Sequence, residues 1–361
     1  MQIGIVGLPY SGKSTLFNIL LVHGSNDDSA KTRMETERGI IAVPDPRLDA
    51  LAKIYNPKRK INATIEYIKV PGLEAEGHKG TGLPAKFLAN VSTVDVILMI
   101  IRAFENEFYP HPFSSIDISR DIRYLESEFI LHDLSIIENR LGKLEKLIQK
   151  TQDEKEKQER LVLQKCHEYL EQERFINELT LNDLENLLLR SYQFLTAKSY
   201  LYLINIDENQ ILESDNIVSQ LKKSLRPNVI VLALSAQIEY EISQLAPKEA
   251  EDFFKELNIT EPATTKLINA SYDLLGLHSF FTVNENEVHA WTISKGNTAV
   301  KAAGIVHSDM EKGFIRAEVV PSEELINFGS MQACKERGLV RLEGKDYLVN
   351  DGDVLTIRFN I

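Results

Sequence analysis

Cysteine is nearly missing from this chain. Cys166 and Cys334 stand far apart and outside any CxxC spacing, which excludes a disulfide framework or a cysteine zinc site and makes a reducing compartment the expectation. An excess of positive charge is missing too. Lys and Arg total 41 against 53 Asp and Glu, a net charge of −12, so a surface that coats nucleic acid generally is excluded and there is no DNA-specific signal. A local basic patch on one face stays compatible with that sum. Long apolar runs are also lacking: Val94 to Ile101 is interrupted by Asp95 and falls far short of the roughly 20 residues of a membrane span. No basic stretch followed by a long apolar one opens the chain. Neither a signal peptide nor a membrane partner is expected, and a cytoplasmic location is.

What is present is 361 residues, 43% hydrophobic and 26% charged, enough to bury a core and too long for one ordinary domain. Residues 1–110 alternate short apolar runs with helical stretches. Ile3–Val6, Thr64–Val70 and Val94–Arg102 are strand candidates and Lys13–Val22 a helix, a pattern that predicts a parallel sheet with crossover helices. After Ile118 the texture changes. Leu134, Ile137, Leu141, Leu144 and Ile148 have the seam spacing of a coiled-coil helix. The segment TQDEKEKQER, 151–160, holds no apolar residue, and a second helical stretch runs through Leu161, Leu170, Leu179, Leu184 and Leu188. Together they predict an antiparallel helical hairpin with the charged segment at or near its tip, a solvated helix end. The α/β pattern resumes at Ser199–Ile204 and Asn228–Leu234, which makes the hairpin an insertion within one domain. From about His278, short strand candidates at Phe280–Val283, Val288–Ile293, Phe314–Val319, Tyr347–Val349 and Val354–Phe359 predict a small mixed-sheet domain.

The stretch Gly7-Leu8-Pro9-Tyr10-Ser11-Gly12-Lys13-Ser14 fits GxxxxGK(S/T) between a strand and a helix. Glycines let backbone N–H groups curl around phosphate oxygens, and the helix N-terminus adds partial positive charge. Tyr10, Ser11, Gly12, Lys13, Ser14 and Thr15 are therefore expected to hold nucleotide phosphates. Lys13 would reach the β- and γ-phosphates and the Ser14 hydroxyl a magnesium ion. A guanine-specific NTPase normally ends a late strand with NKxD. Here Tyr200–Ile204 is followed by Asn205-Ile206-Asp207-Glu208, with the lysine replaced and the last carboxylate one methylene longer. An Asn amide can donate and accept at the N6/N7 edge of adenine, so Asn205 and Glu208 are expected at the base and ATP is favoured over GTP. Ser235 and Ala236 follow the next strand, where such folds lay a backbone loop against the base.

These residues resemble the YchF-type, Obg-related branch of the P-loop NTPases, as a divergent member. The likeness is carried by GLPYSGKSTLFN, GIIAVPDPRLDALAKI at 39–54, PGLEAEGHKGTGLPAKFL at 71–88, RAFEN at 102–106, the NxxE at 205–208 and SAQIEYEI at 235–242. The C-terminal stretches HAWTISKGNTAVKAAGIVHSDMEKGFIRAEVV and RLEGKDYLVNDGDVLTIRFNI are its most specific part. The resemblance implies an α/β Ras-like P-loop NTPase domain at 1–120 and 196–277, an inserted antiparallel α-helical hairpin at 121–195, and a ubiquitin-like α+β TGS domain at 278–361. It implies a purine nucleotide, ATP or GTP, as ligand and a ribosome or RNA-containing complex as partner. Composition adds nothing to the latter, since Lys and Arg do not outnumber Asp and Glu in the C-terminal segment.

Several positions depart from that family pattern. The switch II DxxG becomes Lys69-Val70-Pro71-Gly72, and the switch I threonine that completes the metal shell becomes Arg33, with Thr32 and Thr36 nearby. Tyr10 replaces the usual cradle asparagine, and Leu73 stands where related proteins place the water-orienting glutamine. His111, in Tyr109-Pro110-His111-Pro112, is the substitute candidate for that glutamine. The gly-rich 74–84, with His78 and Lys79, reads as switch II. Lys69 and Arg33 are expected to take over part of magnesium's phosphate neutralisation, about 4 kcal/mol for charges a few ångströms apart at an effective dielectric near 20. They cannot accept a proton from water, so hydrolysis is expected to be slow and the need for Mg²⁺ is in doubt. The alternative is a degenerate nucleotide-binding or nucleotide-independent module that acts through the hairpin and TGS domain.

Overall fold

Two kinds of sequence pattern build two kinds of sheet in this chain. The computed structural model describes residues 1–24, 38–71, 83–151, 153–227, 229–256 and 261–360. They fall into two compact units, the first centred on 1–19 and 67–253, the second on 39–66 and 254–361. In chain order the elements of the first half are β1 (Gln2–Val6), α1 (Lys13–Gly24), β2 (Arg38–Ala42), α2 (Pro46–Tyr55), β3 (Arg59–Ile61) and β4 (Thr64–Lys69). They are followed by α3 (Ala85–Ser92), β5 (Val96–Ala103), α4 (Ile118–Thr151), α5 (Glu154–Glu171), β6 (Ser199–Ile206) and β7 (Ile230–Leu234).

In the first unit the sheet order is β4-β1-β5-β6-β7. Strands β1 and β5, β5 and β6, and β6 and β7 pair in parallel, with Val6 opposite Met99 and Arg102 opposite Asn205. Parallel strands covered on both faces need near-continuous apolar runs. Accordingly every residue of VILMIIRA in β5 is buried, as are all but the first of SYLYLINI in β6. The functional consequence is that β1, β5, β6 and β7 all end on the same side, where their loops converge.

The expected hairpin forms from α4 and α5. Ile137 and Leu144 of the α4 seam are buried, with Val162, Leu163, Cys166 and Leu170 of α5 in the same core. Asp153 caps α5 by accepting the Lys155 N–H, so the charged segment sits at the turn and first turns of α5. The second limb is not one helix. The chain leaves α5 at Glu171, Glu173 adopts φ 57°, and a separate helix Asp183–Leu189 begins at a capping box formed by Asn182 and Glu185. A residue in the left-handed region cannot continue a right-handed helix. At the hairpin's base, Asp133 accepts from Leu195 N, Thr196 N and Thr196 Oγ1 at 3.1, 2.8 and 2.6 Å.

In the second unit β2 pairs with β4, and five later strands, β8 (Leu277–Val283), β9 (Glu287–Ser294), β10 (Phe314–Pro321), β11 (Arg341–Glu343) and β12 (Asp353–Phe359), form a mixed sheet. Its order is β11-β10-β12-β8-β9, extended by β3, which runs parallel to β9. The last strand lies in the middle, parallel to β8 and antiparallel to β10. Ala299, Ala302 and Ala303 of the helix Ala299–Val306 are buried in this unit's core. Tyr347–Val349, expected as a strand, makes only an isolated bridge between Leu348 and Thr298; β11 takes the edge instead. Among the described residues no helix is long and apolar enough to cross a membrane.

Candidate functional site

The loop after β1 is built by two left-handed residues, Tyr10 at φ 60° and Gly12 at φ 99°. Its first turn closes with Ser11 N–H to the Leu8 carbonyl at 3.3 Å. Glycine is required twice. A Cβ on Gly7 would run into the Ile100 carbonyl, and one on Gly12 into Asn205 Nδ2. Lys13 opens α1 and folds back, its Nζ donating to the Gly7 and Leu8 carbonyls at 2.9 and 2.7 Å. Burial, and secondarily the nearby Lys69 ammonium, hold its pKa down to about 8. An anion delivered to this loop would meet an ammonium that has lost its water and has no carboxylate of its own.

Asn205, at the end of β6, is buried, and its amide makes two bonds to backbone. Its Nδ2 donates to the Ser11 carbonyl at 2.9 Å and its Oδ1 accepts the Ala236 N–H at 3.0 Å. One donor and one acceptor of this amide tie the first loop to the loop after β7, and the residue also lines the cavity. Asp207 caps the 3-10 turn Glu208–Glu213, and Asp207 and Glu208 both line the cavity. Ser235 caps the helix Ala236–Ser243.

A further wall comes from the strap after β5. Buried Arg102 donates from Nε to the Phe104 carbonyl at 2.9 Å and from Nη1 to the Tyr109 carbonyl at 2.7 Å. The Asn106 side chain accepts from the N–H groups of Phe108 and Tyr109 at 3.0 and 3.1 Å.

These loops enclose a cavity of about 700 Å³. All ten residues expected to hold nucleotide line it: Tyr10 to Thr15 from the first loop, Asn205 and Glu208 after β6, Ser235 and Ala236 after β7. Sequence reasoning did not place Phe104, Glu105, Asn106 and Tyr109 there. The available signal was RAFEN following a fully apolar strand.

His111 is not among the lining residues. It is buried, and both ring nitrogens are taken. Phe113 N–H donates to Nδ1 at 3.2 Å, so Nε2 carries the proton and donates to Asp121 Oδ2 at 2.8 Å. Arg120 also pairs with Asp121, at 2.9 Å. In this arrangement both imidazole nitrogens are engaged within the strap, by Phe113 N–H and Asp121. Lys69 ends β4, with Nζ 6.0 Å from the centroid of Phe17 on α1. Arg33, Gly72, Leu73, Thr32, Thr36, His78 and Lys79 lie outside the described residues.

Magnesium finds a poor donor set among the described residues. The Ser14 hydroxyl is neutral, the position expected to carry a carboxylate is Lys69, and no group of three or more His, Cys, Asp or Glu could hold a metal ion. A magnesium ion here would take the Ser14 hydroxyl and the nucleotide's own phosphates, without a carboxylate at position 69, and Lys69 is not among the residues that line the cavity.

Comparison with known proteins agrees with this geometry. A family model described as 50S ribosome-binding GTPase matches residues 2–180, and the YchF-GTPase C-terminal model, described as a protein of unknown function, matches 277–360. The chain is 41% identical to a protein of Haemophilus influenzae and 38% identical to one of Bacillus subtilis, each named ribosome-binding ATPase YchF, over 99% of this chain and 99% of theirs. It superposes on the YchF GTPase of Schizosaccharomyces pombe with a TM-score of 0.91 at 29% identity, covering 99% of this chain and 97% of that one. With relatives this similar along their whole length, the chain belongs to the YchF family.

Proposed function

We propose that this chain is a ribosome-associated, nucleotide-binding NTPase that prefers ATP to GTP and hydrolyses it slowly. The observation that carries the nucleotide reading is the single cavity wall formed by the glycine-shaped loop, Lys13 and the Asn205 strand end. Its volume of about 700 Å³ is within the range that takes a small ligand. The adenine preference rests on Asn205-Ile206-Asp207-Glu208 standing in place of NKxD, with the lysine replaced and the last carboxylate one methylene longer, while Asp207, Glu208, Ser235 and Ala236 line the cavity. Ribosome association is taken from the names of the bacterial relatives. Residues 1–120 and 196–277 are assigned to the NTPase domain, 121–195 to the hairpin, and 278–361 to a TGS domain.

Slow turnover follows from two side chains. Lys69 replaces a carboxylate, and His111 is locked by Asp121 and Phe113. The same pair favours a second reading, in which nucleotide is held without turnover and the hairpin and C-terminal sheet act alone. Incubation with ATP or GTP and separation of the products decides between them. Diphosphate formed above a Lys13→Ala control, faster from ATP, is the expected result; no diphosphate from either leaves the second reading.

A further inference from the structure

The first loop and the strap meet in a contact that phosphate binding does not require. Tyr10 occupies the left-handed region, φ 60°, which a bulky side chain adopts only when its surroundings compel it. Its ring lies 5.2 Å from that of Tyr109, tilted by 32°, within the range of favourable aromatic pairs. Both tyrosines line the cavity, and they are 45% and 54% exposed. Tyr109 is held on both sides of its Cα. Its N–H goes to Asn106 Oδ1 at 3.1 Å and its carbonyl to Arg102 Nη1 at 2.7 Å. The strap partner is therefore fixed to the end of β5, and the loop partner is turned toward it by an unusual backbone angle.

We propose that Tyr10 and Tyr109 form an aromatic clasp at the cavity mouth that gates nucleotide passage. This rests on the nucleotide-binding reading above. The rings are packed in the structure itself, so the clasp restrains entry as well as exit. That separates it from an ordinary ligand contact, which slows release only. Opening needs the two rings to part, since Arg102 and Asn106 anchor the strap. An aromatic pair of this kind corresponds to a factor of about two to ten in rate.

The test is stopped-flow binding and release of a fluorescent methylanthraniloyl-ATP on the full chain and on Tyr10→Ala, Tyr109→Ala and the double variant. Tyr109→Ala, outside the residues expected to hold phosphate, should raise the association and dissociation rates together by about two- to tenfold with Kd nearly constant, and Tyr10→Ala should raise the association rate likewise. The double should be no faster than the faster single, because either removal opens the clasp. Tyr10→Phe should keep wild-type rates, since the ring and not the hydroxyl makes the contact. Tyr10→Asn, which tolerates the backbone angle, repeats the experiment should the alanine variant melt early. Unchanged rates in both singles, effects that multiply in the double, or a weaker Kd with unchanged association each overturn the clasp. Lys13→Ala monitors the underlying reading. If it binds as well as wild type, or wild type does not bind, nucleotide binding at this cavity fails; if it alone weakens binding, only the clasp fails.

Discussion

The side chain of Asn205 reaches the carbonyl of Ser11, 194 positions earlier in the chain, at 2.9 Å. With its other end on the Ala236 N–H at 3.0 Å, one buried amide fixes the loops that follow β1, β6 and β7. Asn205→Ala leaves a carbonyl and an N–H without partners in a buried place, at about 1–3 kcal/mol each. The expected outcome is a melting temperature lowered by several degrees and nucleotide affinity reduced at least tenfold, read by thermal unfolding and titration. Gly12→Ala attacks the same joint from the other side, through its φ of 99° and the collision with Asn205 Nδ2, and should bind nucleotide worse still. Wild-type melting and binding by Asn205→Ala would remove the joint from the account.

Lys13 gives the site a pH dependence with a definite sign. In the free protein its pKa is lowered to about 8, by burial first and Lys69 second. A bound phosphate favours the charged ammonium and raises that pKa. Above pH 8 the complex therefore binds more protons than the free protein, and affinity should weaken as pH rises from there, with this group silent below about pH 7. Lys69→Ala removes the second cause and should move the onset to higher pH. Affinities measured between pH 7 and 10 check this; a profile flat to pH 10 contradicts it.

Lys69 in place of the switch II carboxylate carries a prediction about the metal dependence. With an ammonium near the cradle, affinity for ATP should change by less than about threefold between EDTA and millimolar Mg²⁺, a difference below 1 kcal/mol. Lys69→Asp reverses the charge that acts on Lys13 and introduces a hard ligand. Its affinity should fall at least tenfold in EDTA and recover with Mg²⁺. Isothermal titration under both conditions suffices, and a steep magnesium requirement in the wild type would end the cation-replacement proposal.

How far the sequence carried these conclusions depended on how local each cause is. Gly7, Gly12, Lys13 and Ser14 announce themselves because a tight glycine turn, a lysine and a helix start are consecutive. The apolar runs of β5 and β6 are legible for the same reason. Asn205 could be placed at the cavity, but its tie to Ser11 and Ala236 could not, because they are its neighbours only in the folded chain. His111 looked free in sequence and is claimed by Asp121. The short strands β3 and β11 owe their existence to partners on the sheet rather than to propensity, and Tyr347–Val349 has propensity but no ladder. The limb through Leu179 and Leu188 keeps a helical rhythm, yet Glu173 at φ 57° breaks it.

The hairpin's attachment offers a stability test that is independent of nucleotide. Asp133 of α4 accepts three hydrogen bonds from Leu195 and Thr196, yet burial outweighs them and pushes its carboxyl up to about 6. Its folded pKa lies above the unfolded value near 3.8. The folded state therefore binds the extra proton, and the stabilisation is complete below about pH 4 and lost as pH rises through 6. Asp133→Asn keeps the shape, carries no titratable proton and turns at least one N–H toward a backbone donor, which should cost about 1–3 kcal/mol. Urea unfolding at pH 7.5 and pH 5 should thus show the wild type more stable at both, with its margin over the variant larger at pH 5. A margin that shrinks on acidification would mean that the three donors, rather than burial, govern this carboxyl.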